Sequence, residues 1–434
     1  MQRTSLRKIW NGLGPGILLA ATSVGASHLV LSPRAGAMFG FDLLWLVVVA
    51  HVFKYPAFEF GPRYAAATGH HLLDGYARVP GPGRWALIVF LISTLAQGIG
   101  VLAGVVSVAG CVLATWTQVL GTEAFSVILT VTILVLLCVG GFSWLDHLNK
   151  IMMATLAAAT VLAFVPIIPG PEAAEHLLIP TIPPGSFLLV AAILGWMPTG
   201  IDVSVWHSFW TIEKNRRAAD GAEMASEQRA GRLRTALWDM RTGYGLSLLT
   251  GLMFIIMGAT HMAGRGAGLD DVGFIAALST AYTSILGRWM YHVFMLTAFF
   301  AMFSTSYTVI DGFSRSFSEC CAVLRVGMSS TKARRLSYGI FALVSSTVAC
   351  VILVRIGKPV TLVLVASLIS LTAAPLLYGF NLYCVTRHIR EPEFRPSRMV
   401  VAIGLAGVAF MVVALAATAY AKLGPAVSVW LADG

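Results

Sequence analysis

Apolar runs of membrane length recur along most of this chain, and they restrict it more than any other feature does. A spanning helix needs about 20 apolar residues. Runs that qualify lie near 12–31, 41–62, 85–116, 124–142, 147–168, 186–210, 242–262, 287–310, 336–355, 358–385 and 399–422. Within lipid only helices or closed barrels satisfy their own backbone. Runs of this length and apolarity predict helices, so the expectation is an all-α integral membrane protein of 11 transmembrane helices. Composition agrees: 57% of the 434 residues are hydrophobic and 12% are charged, against about 25% charged in soluble domains. The stretch 268–285 is weakly amphipathic and is expected outside the membrane or along its surface. Arg3, Arg7 and Lys8 precede the first run, with no A-x-A site after it, so that run is read as a retained span rather than a cleaved leader.

Charge placement orients the chain. With the N-terminus inside, 23 Lys and Arg fall in inside segments and 6 in outside segments, with Lys54 left within a span. Positive residues accumulate on the cytoplasmic side. The reading is a cytoplasmic N-terminus and an extracytoplasmic C-terminus in the cell membrane. It explains the net charge of +10 by topology and removes the need for a nucleic-acid partner. The six cysteines show neither C-x-x-C spacing nor a secreted framework and read as buried thiols.

Two runs are interrupted. Residues 14–31, GPGILLAATSVGASHLVL, break at Gly25-Ala26-Ser27-His28; residues 187–206, FLLVAAILGWMPTGIDVSVW, break at Gly195-Trp196-Met197-Pro198-Thr199-Gly200. They open spans one and six. Spans one to five and six to ten are then equal in number and opposite in orientation, the pattern of an inverted 5+5 repeat. The repeats occupy approximately 12–168 and 186–385 of a single transporter domain covering 1–434, with 399–422 as an accessory helix. The linker 211–241, carrying seven Lys/Arg and five Asp/Glu, joins the halves.

Paired breaks point to a binding site, because unwound backbone and half-helix dipoles can hold a small ion with few charged side chains. The candidate ligands are His28, with Ser27 and Ser23 adjacent, then Met197, Thr199, Asp202 and the carbonyls around Gly195 and Met197. Gly25 belongs to the same site. Thioether and imidazole favour Mn, Fe, Co, Ni, Cu or Zn over Mg and Ca. Against this, Met197 also reads as core filler, His28 as a hydrogen-bonded helix-start residue and Asp202 as an N-terminal cap. Pro198 reads as the helix breaker. Lys54 and Glu59 lie five apart, too far round a helix to pair ideally, and are given structural or gating roles. Asp311 reads as a cap or gate residue, His51 as a buried, hydrogen-bonded histidine with proton relay as the alternative, and His207 as a solvated or paired residue toward the cytoplasmic side. Ser367, Ser370 and Thr250 are further polar candidates from spans ten and seven. Catalytic motifs such as H-E-x-x-H and G-x-S-x-G are not found, so the expectation is a carrier without a cofactor rather than an enzyme. Its expected partners are the bilayer and its cargo, with no obligate protein partner.

At these breaks the chain resembles the Nramp family of divalent-metal transporters. Gly14-Pro15-Gly16 with Arg34-Ala35-Gly36-Ala37 is similar to that family's first span and its exit, and Gly195 with Met197-Pro198 to its sixth-span motif. The resemblance implies the LeuT-type inverted repeat and secondary transport of Mn²⁺, Fe²⁺ and related ions, usually with protons. The motifs also differ. The family's Asp-Pro-Gly-Asn is Gly25-Ala26-Ser27-His28 here, its Met-Pro-His is Met197-Pro198-Thr199, and residues 86–116 hold no charged side chain. Of the family's ligands only Met197 and the break carbonyls carry over. Asp202 is the candidate replacement for the missing carboxylate. The alternatives on the same fold are Mg²⁺ without proton coupling, or a small amino acid or amine.

Overall fold

The computed structural model describes residues 25–139, 143–219, 226–264, 271–325 and 330–432. Gly14-Pro15-Gly16, Ser23 and the first part of span one lie outside them. Among the described residues the regular structure is helical throughout. A π-helical turn, Ser27–Leu31, runs into α1 (Ser32–Phe39). Then follow α2 (Leu44–Thr68), α3 (Leu72–Tyr76), α4 (Trp85–Thr117), α5 (Thr122–Val139), α6 (Ser143–Phe164) and α7 (Pro171–Leu178). The second half holds α8 (Phe187–Trp196), α9 (Val203–Ala219), α10 (Ser226–His261), α11 (Asp271–Leu286), α12 (Met290–Leu324), α13 (Thr331–Ile356), α14 (Pro359–Arg387) and α15 (Arg398–Ala432).

Among the described residues, eight of these are long and apolar enough to cross a membrane: α2, α4, α5, α10, α12, α13, α14 and α15. The half helix α8 is apolar but only ten residues long. Residues 271–286, expected as a weakly amphipathic segment, form a helix whose Phe274, Leu278 and Tyr282 are buried, and it packs on α4, α6, α10 and α12.

The helices sort into two packed groups. One joins α1, α2, α9 and α10; the other joins α4, α5, α12 and α13; α14 bridges them by packing on both α4 and α2, and it also packs on α8. Glycines set the closest crossings. A Cβ on Gly36 would stand 1.9 Å from the Ile255 carbonyl oxygen, and one on Gly258 2.1 Å from that of Pro33, so α1 and α10 meet backbone to backbone. Gly61 meets the Ser204 oxygen of α9 in the same way, at 2.1 Å. Membrane helices lack a hydrophobic drive to associate, and small residues allow the close packing that replaces it.

A buried ion cluster holds the middle of α2. Glu59 is fully buried and accepts from Tyr55 Oη at 2.6 Å and Arg63 Nε at 3.0 Å, with Arg241 Nη2 3.5 Å away. Arg63 also donates to the carbonyls of Phe394 and Arg395, tying the segment after α14 to α2. Glu59→Gln leaves Arg63 without its counter-charge. Breaking such a pair costs about 3–5 kcal/mol, so this variant is expected to unfold at a clearly lower temperature in detergent; an unchanged midpoint would show that Glu59 stabilises nothing.

Candidate functional site

The second break is a true interruption. Met197 is extended (φ −92°, ψ 123°), and helical backbone resumes only at Val203. The first is different. From Ala26 onward the chain is helical, and the extra residue of the π turn at Ser27–Leu31 sits where an unwound segment was expected. Such π turns inside helices recur at functional sites.

A cavity of about 40 Å³ lies between the two, room for roughly three waters. Its polar lining comes from five elements: Ser27 of the π turn, Gln97 of α4, Thr199 and Asp202 of the second break, Thr305 of α12 and Ser370 of α14. Val101, Trp206 and Phe313 are among its apolar walls. Among the described residues Asp202 is the only charged one in that lining, and it is buried at 4% exposure. It stands just before α9, where a helix N-terminus favours an anion. Gly200 makes room for it, since a Cβ there would stand 2.4 Å from Asp202 Oδ1 and 3.5 Å from Ser370 Oγ. Across the cavity, Trp196 Nε1 donates to Ser370 Oγ at 3.0 Å, Ser370 Oγ donates to Gln97 Oε1, and Gln97 Nε2 donates to Ser93 Oγ at 2.7 Å. This chain fixes α8, α14 and α4 around the space. Gln97 and Thr305 were not among the sequence candidates. The available signal for Gln97 was an amide within an uncharged apolar run, with Ser93 one turn before it.

The remaining candidates are placed as follows. His28 is fully buried with both ring nitrogens engaged. Nε2 lies 2.8 Å from the Ser247 carbonyl oxygen, which can only accept, so Nε2 carries the hydrogen. In the neutral ring Nδ1 then accepts from Ser27 Oγ at 2.9 Å. His51 shares Ser247, with Nε2 3.1 Å from its hydroxyl, and donates from Nδ1 to the Val47 carbonyl. Met197 is buried, and its methyl and His28 Nε2 both approach Gly251 of α10, at 3.3 and 3.5 Å from where a Cβ would stand. Neither His28 nor Met197 lines the cavity. Gly25 faces α12: a Cβ there would stand 3.0 Å from Thr305 Oγ1. Gly195 faces the Ser367 carbonyl of α14 at 2.0 Å by the same measure. Ser367 and Thr250 hydroxyls donate to backbone carbonyls of their own helices. The Pro198 carbonyl oxygen lies 3.4 Å from Ser27 Oγ, so the two segments touch. Asp311 accepts from Arg315 Nη2 at 3.1 Å and Tyr338 Oη at 2.9 Å. His207 is buried.

Lys54 gives the least expected placement. Its ammonium is fully buried and donates to the carbonyls of Leu194 at 3.1 Å, Gly195 at 3.1 Å and Thr199 at 2.7 Å. The break carbonyls expected to hold an ion therefore hold a lysine. An ammonium has three N–H donors, and all three are used. Among the described residues no cluster of three or more His, Cys, Asp or Glu could hold a metal ion.

A helical bundle enclosing a small cavity between two interrupted segments defines a LeuT-type carrier fold. Solved structures agree. An Eremococcus coleocola manganese transporter, in complex with an aromatic bis-isothiourea compound, aligns over 98% of this chain and 90% of its own at a TM-score of 0.69 and 15% identity. Mhp1, a nucleobase-cation-symport-1 family transporter, aligns over 94% of this chain and 93% of its own, at a TM-score of 0.57 and 14% identity. The family model for natural resistance-associated macrophage protein-like proteins matches residues 16–421, and the chain belongs to this Nramp family. It is a multi-pass integral membrane protein. An uncharacterized protein of Pasteurella multocida, PM0681, is 30% identical over 89% of this chain and 88% of its own length. A divalent metal cation transporter, MntH, of Mycobacterium tuberculosis is 26% identical over 61% of this chain and 60% of its own.

Proposed function

We propose that this protein is a secondary carrier that moves a divalent cation of the Mn²⁺ kind across the cell membrane by alternating access. The observation that carries this reading is Asp202, the one carboxylate that the described residues contribute to the cavity lining. Lys54 spends its three donors on carbonyls, which leaves the Asp202 carboxylate available to a cargo ion. Around it Ser27, Gln97, Thr199, Thr305 and Ser370 offer neutral oxygens. One carboxylate, neutral oxygens and retained waters suit Mn²⁺ and Mg²⁺, whereas Zn²⁺ and Cu²⁺ call for softer donors. Membership of the Nramp family and the MntH relatives support a divalent cargo. The inverted repeats supply the two halves that would rock against each other, and the excess of Lys and Arg in inside segments supports a cytoplasmic N-terminus.

One observation favours a second reading. Trp206 Nε1 is buried without a hydrogen-bond partner, on a residue that lines the cavity. A small organic ammonium bearing an acceptor could use that donor together with Asp202. Uptake into proteoliposomes separates the two, with Mn²⁺, Fe²⁺, Mg²⁺ and Zn²⁺ side by side and a pH dye in the lumen. Saturable Mn²⁺ entry exceeding that of Zn²⁺ is expected, and the dye reports whether protons accompany it. Absence of flux for every divalent ion, from protein shown to be folded, would sink the metal reading and direct the assay to amino acids and amines.

A further inference from the structure

We propose that the second break is a monovalent-cation site that the chain fills with its own Lys54. The donor set is all oxygen: two carbonyls, of Leu194 and Gly195, at the C-terminal end of α8, and one, of Thr199, from the unwound segment. A helix C-terminus carries partial negative charge, and hard cations take oxygen ligands. Lys54 reaches this point from α2, a different element, and is buried with no exposed surface. A buried ammonium costs several kcal/mol unless its hydrogen bonds are complete, and here every N–H has its carbonyl. Asp202 adds the nearby negative charge that Lys54 feels. No Lys54–Asp202 contact falls within 4 Å among the described ion pairs, so the lysine lies near the carboxylate without occupying its oxygens.

Two consequences follow. The break is held in shape by a cation that cannot leave, so the wild-type protein has no need of a dissolved monovalent ion at this point. Truncating Lys54 leaves three convergent carbonyls and a nearby carboxylate in a dry interior, which is costly and which a small cation can relieve. This inference stands apart from the identity of the cargo, and its test uses no divalent ion.

The experiment is thermal unfolding of detergent-purified wild type, Lys54→Ala and Lys54→Ser in choline chloride and in lithium, sodium, potassium and methylammonium chlorides at equal ionic strength. Wild type is expected to unfold at one temperature in all five. Each variant is expected to unfold lower in choline and to rise, saturably, with at least one of the small cations, as binding to the native state requires. Variants indifferent to all four small cations would overturn the proposal, as would a wild type that gains as much as they do. Failure of both variants to fold in cells, where K⁺ and Na⁺ are abundant, would also overturn it, because those ions should restore the break.

Discussion

Asp202→Asn is expected to lower the affinity for the transported cation by about 100-fold while leaving the fold intact. Among the described residues the carboxylate is the only charged group lining the cavity. At an effective dielectric of about 20, two unit charges 4 Å apart attract by about 4 kcal/mol, and a divalent ion doubles this. Desolvating ion and carboxylate cancels a large part, and a remainder of about 3 kcal/mol corresponds to roughly 100-fold in Kd. Asparagine keeps the shape and one oxygen, so the unfolding temperature should change little. The contrast is with His28→Ala. His28 binds Ser247 and Ser27 and stands outside the cavity lining, so its loss should lower the unfolding temperature more than the affinity. Measuring both quantities for both variants decides the matter: wild-type affinity in Asp202→Asn would remove this residue from the site.

Gly258→Val is expected to prevent folding outright. Gly258 faces the Pro33 carbonyl at 2.1 Å and Gly36 faces that of Ile255 at 1.9 Å, each measured from where a Cβ would stand. Ordinary overpacking against mobile side chains costs about 1–3 kcal/mol. Here the obstacle is backbone on both sides, and α1 cannot shift without moving the π turn that lines the cavity. Gly339→Val is the control, since a Cβ on Gly339 of α13 meets nothing within 4 Å. Folded yield and size-exclusion profile report the difference; equal yields from both would mean that α1 and α10 cross less tightly than the geometry states.

The Thr305 placement explains how the first-span motif could change. A Cβ on Gly25 would stand 3.0 Å from Thr305 Oγ1, so the space that an aspartate would enter there is taken by a side chain of α12. The carboxylate of the cavity comes instead from Asp202, beside a glycine that leaves room for it.

What the sequence determined by itself was the class of fold and the second break. Apolar runs of about 20 residues span lipid as helices, since barrel strands are half as long and alternate, and a proline preceded and followed by glycines within such a run interrupts it wherever it lies, so the all-α membrane architecture and the interruption at Met197–Pro198 were legible. Only the tertiary structure decided which groups meet there. Helix periodicity tells which residues share a face, but not which neighbour that face meets or how far a side chain reaches. Lys54 and Glu59, read as too far round the helix to pair with each other, serve different partners: one crosses to the carbonyls of α8 and the other closes with Tyr55, Arg63 and Arg241. His28 and Met197, chosen for their donor atoms, turn toward Gly251, while Gln97 and Thr305 line the cavity. Those assignments depend on helix crossings set by backbone contact at Gly36, Gly61, Gly195 and Gly258, and such contacts exist only once distant helices have packed.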